Sequence, residues 1–282
     1  MPAELCVLPA ASAPVQKGTL PADSVARMTP ADKARWVHHV FERISHRYDL
    51  MNDLESLGLH RLWKRALVER VVCAGASDIL DVATGTGDIA LALATRCPDA
   101  HVVGLDFSEA MLEVARRRVD RGDGSCVSLL SEVKRDEQEP SPVRPPAFVF
   151  GNALDMPFDA ASFDAVTISF GLRNMPDYRR VLAEMVRVLR PGGLLLCLEA
   201  SYPTLPLVKQ GFRVYFRHVM PLMGRLIVKR SAEYRWLNDS TEAFLTRPEL
   251  AQMMVDCGLV DVRYRSYLLG AAALHSGVKA VD

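Results

Sequence analysis

A short apolar run, Ser77-Asp78-Ile79-Leu80-Asp81-Val82, passes directly into Ala83-Thr84-Gly85-Thr86-Gly87-Asp88, and from Ile89 to Arg96 the spacing becomes helical. Few backbone arrangements satisfy that order. A strand that hands over to a helix within so few residues must turn tightly, and Gly85 and Gly87 permit the turn and a close approach to a ligand. The next apolar run, His101 to Leu105, ends in Asp106, 19 positions after Gly87. An offset of about 20 is where an acid meets ribose hydroxyls in folds of this kind. An acid ending an apolar strand is also costly unless something pairs with it. The segment therefore predicts a nucleotide-cofactor cradle at the carboxyl end of a parallel strand, with Asp106 and its neighbour Phe107 among the contacts.

The pattern on either side agrees. Trp36, Val37, Val40, Phe41 and Ile44 recur at helical steps, and a second helix is expected over His60 to Val72. Strands and helices then alternate: strand 78–83, helix 87–96, strand 101–105, helix 108–121, strands 147–151 and 164–169, helix 177–189, strand 194–199. Such alternation predicts a parallel sheet with helices on both faces. Arg190-Pro191-Gly192-Gly193 should stop a helix and turn into a strand. Val260 to Leu268 and Ala271 to Lys279 predict an antiparallel edge pair joined near Gly270. Residues 1–30, rich in Ala, Pro and Ser, read as a mobile tail, and 31–282 as one domain. Within it, the charged and proline-rich stretch 122–146 reads as a flexible insertion, and 202–245 as a helical substrate cap.

Bulk properties remove several function classes. Lys plus Arg and Asp plus Glu are both 34, so the net charge is zero and no global field draws the chain to nucleic acid. Six dispersed cysteines, with no Cys-x-x-Cys pair, read as reduced thiols rather than a zinc site. No stretch approaches the ~18 apolar residues of a membrane span, and the N-terminus lacks the basic start and apolar core of a secretory signal. The expected location is cytoplasmic.

Strand ends in such sheets carry the ligand. Here they present Asp81 to Gly87, Asp106, Gly151-Asn152-Ala153, Ser169 to Asn174 and Glu199 to Ser201. Gly85-x-Gly87-x-x-Ala90 also meets the loose dinucleotide pattern, so the loop alone leaves two cofactor classes open. Asp81 tilts the choice. Its carboxylate would face like charge in a pyrophosphate site, whereas S-adenosylmethionine (SAM), with its sulfonium and amino-acid tail, tolerates it. For Asn152 a turn role and an adenine contact weigh equally.

Several blocks resemble the ubiquinone/menaquinone biosynthesis C-methyltransferase family. They are Arg43-x-x-x-x-Tyr48-Asp49-Leu50-Met51-Asn52-Asp53, Gly58-Leu59-His60-Arg61-Leu62-Trp63-Lys64, the cradle itself, Thr167-Ile168-Ser169-Phe170-Gly171-Leu172-Arg173-Asn174, Arg187-Val188-Leu189-Arg190-Pro191-Gly192-Gly193 and Ala273-Leu274-His275. The agreement spans roughly residues 38 to 280. It implies a class I SAM-dependent methyltransferase fold: a seven-stranded Rossmann-like sheet, helices on both faces and an antiparallel edge hairpin. It also implies cofactor contacts at Thr86, Asp106, Asn152, Ala153 and Ser169, beside the Asp81, Gly85, Gly87 and Phe107 expected from the cradle. Two departures stand out. Thr84 replaces the glycine of many relatives, and the insertion lengthens the approach to the third strand.

The resemblance further implies methyl transfer, without a metal, to a ring carbon of a prenylated quinol. Demethylmenaquinol is the first expectation; a 2-methoxy-6-polyprenyl-1,4-benzoquinol, or another small molecule, is the alternative. Arg173, with Asn174, would stabilise a developing phenolate or order the water that takes its proton, and a structural ion pair is the competing role for Arg173. Tyr48 would close over the cofactor. His60 and Arg61 are divided between a quinol contact and a helix N-terminal role, while His218 and His275 read as packed or solvated. The apolar and basic stretch from Leu205 to Arg230 suits a prenyl tail or loose peripheral membrane contact, though an ordinary cap explains most of its side chains. A homodimer is compatible with the pattern. Three rivals remain: a nicotinamide oxidoreductase, which leaves Asp81 and the 169–174 block unexplained, a methyltransferase acting on another small molecule at nitrogen or oxygen, and a quinol-binding member of a quinone-biosynthesis complex without turnover.

Overall fold

The structure is a computed structural model, and it describes residues 58–121, 144–203 and 243–281, together with Ser56, Gln210, Ser240 and Thr241. Residues 1–30, the helix expected from Pro30, Tyr48, His218, most of the 122–146 insertion and most of the 202–245 cap lie outside the described residues.

Helix α1 (His60–Ala74) precedes β1 (Asp78–Val82), α2 (Asp88–Arg96), β2 (His101–Asp106), α3 (Glu109–Asp120), β3 (Ala147–Phe150), β4 (Phe163–Ser169), α4 (Tyr178–Val188) and β5 (Leu189–Ala200). Helix α5 (Arg247–Asp256) then leads to β6 (Leu259–Tyr267) and β7 (Ala272–Lys279). The sheet has seven strands in the order β3-β2-β1-β4-β5-β7-β6. Its first five are parallel, and β7 runs antiparallel between β5 and β6. The expected sheet and edge hairpin are both present.

Alternation along the strands splits the core into two layers. Ile79, Val102, Ala165 and Leu196 point to one face and bury Trp63, Leu67 and Val71 of α1 with Ile89 and Leu93 of α2. Leu80, Val103, Val166 and Leu195 point to the other, against Leu182 and Met185 of α4 and Leu250 and Met254 of α5. Burial on both faces explains why these strands read as continuous apolar runs.

Arg190-Pro191-Gly192-Gly193 behaves differently from expectation. It is absorbed into β5, which starts at Leu189 opposite Phe163 and resumes at Leu194 opposite Ala165. The extra residues bulge out, with Gly192 at φ 76° and Gly193 so close to Leu189 and the Arg190 carbonyl that a Cβ would lie 2.8 Å from the Leu189 side chain. Helix α4 ends without a left-handed cap. Instead the Lys279 ammonium donates to the carbonyls of Val186 (2.8 Å) and Leu189 (2.7 Å), satisfying acceptors that a helix end leaves exposed.

Candidate functional site

Strand order reverses between β1 and β4, and ligands of open α/β sheets bind outside the carboxyl ends at that point. A cavity of about 320 Å3, counting its open mouth, sits there, lined by Lys64, Ala83, Thr84, Gly85, Thr86, Asp88, Ile89, Ser169 and Phe170. The cradle takes the form its glycines require. Gly85 (φ 58°) and Gly87 (φ 84°) are left-handed, and the Gly87 N–H donates to the Thr84 carbonyl at 3.0 Å. A Cβ at Gly87 would crowd the Phe148 ring at 2.9 Å and sit on a left-handed backbone, so a side chain there is strained; at Gly85 nothing lies within 4 Å. One glycine is needed for packing. The other leaves an open face toward the cavity.

Asp81 ends β1 just beneath this loop and is only 2% exposed. Its two oxygens accept from the hydroxyls of Thr84 and Thr167, each at 2.7 Å. Burial pushes its carboxyl up to about 6; the two hydroxyl bonds and the Lys64 charge pull the other way, while Asp106 adds to the rise. Thr84 thus holds one oxygen of the acid it follows. Asp106 is buried as well. It accepts the Gly85 N–H at 2.8 Å and the Ser108 N–H at 2.9 Å, which ties the cradle to the end of β2.

A charge cluster braces the loop from outside. The Arg118 guanidinium donates to the Thr86 carbonyl (2.9 Å), the Thr86 hydroxyl (3.3 Å) and Asp88 (2.6 Å). Lys64 reaches the other Asp88 oxygen at 2.8 Å. Burial alone would raise the Asp88 carboxyl, yet these two cations hold it far below the carboxylate range.

The wall from β4 is strained. Phe170 is left-handed at φ 55° and Ala83, directly after β1, at φ 53°. Such conformations cost about 1–3 kcal/mol each and persist where the surroundings enforce them; a Cβ on Gly171 would fall 2.8 Å from the Ala83 Cβ. Ser169 Oγ is buried with no hydrogen-bond partner among the described residues, as is Asn174 Oδ1. Arg173, 3% exposed, pairs with the Glu199 carboxylate and donates to the Phe170 carbonyl at 2.9 Å. Glu199 also accepts the Arg173 N–H, at 3.1 Å. The guanidinium therefore holds the 170–174 turn in place.

Asp81, Gly85, Thr86, Gly87, Asp106 and Ser169 thus converge on one end of the sheet. Half-buried Phe107 follows Asp106 there. Asn152 is exposed and Ala153 buried in a turn after β3; the Asn152 side chain accepts the Leu154 N–H at 3.0 Å, and the Gly151 N–H ties this turn to the Asp106 carbonyl at 2.9 Å. His60 is buried at the start of α1, its ring nitrogen 2.7 Å from the Ser56 hydroxyl. His275 is packed in β7 with Nε2 3.0 Å from the Arg247 carbonyl.

Sequence reasoning assigned no role to Lys64 or Arg118. A signal was present. Lys64 falls four residues after His60 and three before Leu67 on the buried face of α1, and Arg118 falls three after Ala115 on the buried face of α3. A cation on a core-facing stripe needs a partner inside.

Sheet order, cradle and strand-end acids define a protein with the class I methyltransferase architecture. Two solved structures share the fold over most of the chain. One is a SAM-dependent methyltransferase from Thermotoga maritima, with TM-score 0.56, 18% identity, 86% of this chain and 99% of that one. The other is an O-methyltransferase family protein from Burkholderia thailandensis, with TM-score 0.55, 20% identity and coverage of 84% and 62%. The chain belongs to the ubiE/COQ5 methyltransferase family, whose sequence pattern matches residues 28–279. Its relatives include the demethylmenaquinone methyltransferase of Halalkalibacterium halodurans, 44% identical over 89% of this chain and 95% of that protein. Proteins of the same name from Listeria welshimeri (43%; 88% and 97%) and Staphylococcus aureus (41%; 87% and 94%) are similarly related.

Proposed function

We propose that this chain is a SAM-dependent C-methyltransferase that converts demethylmenaquinol to menaquinol. The observation that carries the reading is identity above 40% along nearly the full length of relatives named for that substrate. The residues present fit the cofactor: the Ser169 hydroxyl, without a hydrogen-bond partner among the described residues, and the open face of Gly85 lie on one cavity, between the acids at the ends of β1 and β2. When bound, SAM supplies a methyl group made electrophilic by its sulfonium.

The chain's own residues supply the rest. Asp106 orients the cradle through the Gly85 N–H and offers its carboxylate to ribose hydroxyls, with Phe107, Asn152 and Ala153 flanking it. Gly85, Thr86 and Gly87 carry the backbone groups that approach the cofactor, and Asp81 gives its amino-acid tail an anionic neighbour. Ser169 donates or accepts within the cavity. Arg173 and Asn174 lie one turn further on, where the guanidinium stabilises charge developing on the quinol oxygen. A purely structural pair with Glu199 is the other role for Arg173. Tyr48 completes this reading as a cover over the cofactor.

No helix among the described residues is long and apolar enough to cross a membrane. A polyprenyl substrate resides in the bilayer, so loose peripheral contact through Leu205 to Arg230 belongs to the proposal, as does a homodimer testable by light scattering.

The deciding experiment incubates the purified protein with SAM and reduced demethylmenaquinone and follows the mass of the quinone. Gain of one methyl is expected; no gain, with SAM bound, refutes the substrate. Strains that accumulate demethylated naphthoquinone or benzoquinone, each complemented with the chain, separate the menaquinol reading from ubiquinol precursors, which the family name also covers.

A further inference from the structure

Two leucines stand out from the turn between β6 and β7. Leu268 is 52% and Leu269 66% exposed, and both are left-handed, at φ 43° and 55°. Side chains with a Cβ rarely hold that conformation, which glycine or asparagine takes at lower cost. The turn is nonetheless fixed. Ser201, just past β5, donates its hydroxyl to the Gly270 carbonyl at 2.6 Å and its N–H to the Ala271 carbonyl at 2.9 Å. Because Ala272 pairs with both Ala200 and Tyr267, the turn lies at the carboxyl end of the sheet, the end that holds the cavity. Aromatic rings connect the two. Phe170 of the cavity wall has its ring centre 6.4 Å from that of Trp63, and Trp63 stacks on Tyr267 at 6.1 Å. Behind the leucines, Arg263 and Arg265 are exposed on β6, and the Arg265 guanidinium lies 5.6 Å from the centre of the Tyr267 ring. No acid occurs in the sequence from Val262 to Lys279.

We propose that the β6–β7 turn docks on an anionic lipid surface, with Leu268 and Leu269 entering the acyl boundary and Arg263 and Arg265 meeting headgroup phosphates. An exposed apolar tip backed by arginines has the charge and polarity of a bilayer interface in mirror image. The inference deepens the quinol reading above and rests on it for the reason the protein meets lipid: a docked turn sets the aromatic path of Tyr267, Trp63 and Phe170 between the bilayer and the cavity. It adds a contact within the sheet to the one proposed for Leu205 to Arg230.

Flotation of the full chain with quinone-free vesicles of phosphatidylcholine, with and without phosphatidylglycerol, tests it. The unsubstituted protein should float with the anionic vesicles, and the bound share should fall as salt rises. Leu268→Asn/Leu269→Gly should weaken that binding by roughly 10- to 100-fold. The same variant should keep or raise Tm and leave S-adenosylhomocysteine affinity unchanged, since both replacements suit a left-handed backbone. Arg263→Gln/Arg265→Gln should flatten the salt dependence, a readout that stands even if the turn variant fails to fold. Unchanged flotation of a folded turn variant, or unchanged salt dependence in the arginine variant, overturns the proposal. So does retained flotation with a raised KM for long-tailed quinol alone, which assigns the leucines to the prenyl tail, or with a loss of dimer mass in light scattering, which assigns them to a second copy. No flotation of the unsubstituted protein also overturns it, and leaves the quinol reading standing if the chain still methylates demethylmenaquinol in detergent. Failure of that methylation with flotation intact strikes the quinol reading alone.

Discussion

Replacing Asp81 with asparagine should make the protein more stable and a poorer cofactor binder at once. The carboxyl is 2% exposed and is pushed from 3.8 to about 6 by burial that its hydrogen bonds only partly offset. At about 1.4 kcal/mol per tenfold change in protonation constant, that difference disfavours the charged form by about 3 kcal/mol at neutral pH. Asparagine removes the charge and keeps the bonds, because its oxygen accepts from one threonine hydroxyl while its amide donates to the other. A gain of about 3 kcal/mol corresponds to roughly 6–12 °C in Tm for a domain of this size. The sign with pH follows from the raised value. As pH falls through about 6 the folded wild type takes up a proton that the unfolded chain does not yet bind, so its penalty is relieved. The advantage of Asp81→Asn should therefore shrink from about 3 kcal/mol near pH 7.5 to about 1 kcal/mol near pH 4.5. Urea unfolding of both proteins across that range measures it, and titration with S-adenosylhomocysteine near pH 7.5 should show binding weakened by roughly 10- to 100-fold. A stability difference that stays flat with pH would refute the account of Asp81 as a costly buried charge. Undiminished binding would remove it from the tail site.

Other outcomes follow from the same contacts. Asp106→Ala should weaken S-adenosylhomocysteine binding by roughly 100-fold, since it removes the ribose acid and releases the Gly85 N–H; unchanged affinity in a folded variant refutes the assignment. Arg173→Ala leaves Glu199 buried without its cation, which costs about 3–5 kcal/mol. Arg173→Lys retains a charge, so a fall in kcat there with SAM affinity and Tm nearly kept supports the oxyanion role, whereas normal kcat leaves the residue structural. Burial lowers the His275 imidazole to about 4 against the Arg247 carbonyl bond that favours its charged form. The unfolded chain protonates first as pH falls below 6.5, so His275 should lose the protein about 2 kcal/mol near pH 5 relative to its value near pH 7.5. His275→Gln should remove that slope; an unchanged slope means the ring is not held neutral.

Where local pattern and global fold demand the same thing, the chain is legible. The cradle is an example: left-handed backbone at Gly85 and Gly87 is written in the residue types, and Asp106 is conspicuous as an acid closing an apolar strand. Alternating strands and helices likewise foretell the sheet, because βαβ units leave little freedom in topology. The edge hairpin is legible for a different reason, since two apolar runs separated by a few residues can pair only antiparallel. Partnerships across the fold are not written that way. Arg190 bonding to Asp78 and Asp164 joins residues 112 and 26 positions apart, and Lys279 capping α4 spans 93 positions to Val186. The bulge that absorbs Arg190 to Gly193 has the same origin: proline and glycines mark a break, but only pairing with Phe163 and Ala165 decides that the strand resumes beyond it. Glu199 shows how far such pairing reaches into the site. As the penultimate residue of an apolar strand it reads as a ligand contact. In the fold its oxygens take the Arg173 guanidinium and backbone N–H, and through them it fixes the turn that places Ser169 and Asn174. A strand-end acid can therefore serve the site in two ways, by meeting the ligand, the role proposed for Asp106, or by holding the loop that meets it. Only the partner's identity, supplied by the tertiary structure, tells the two apart.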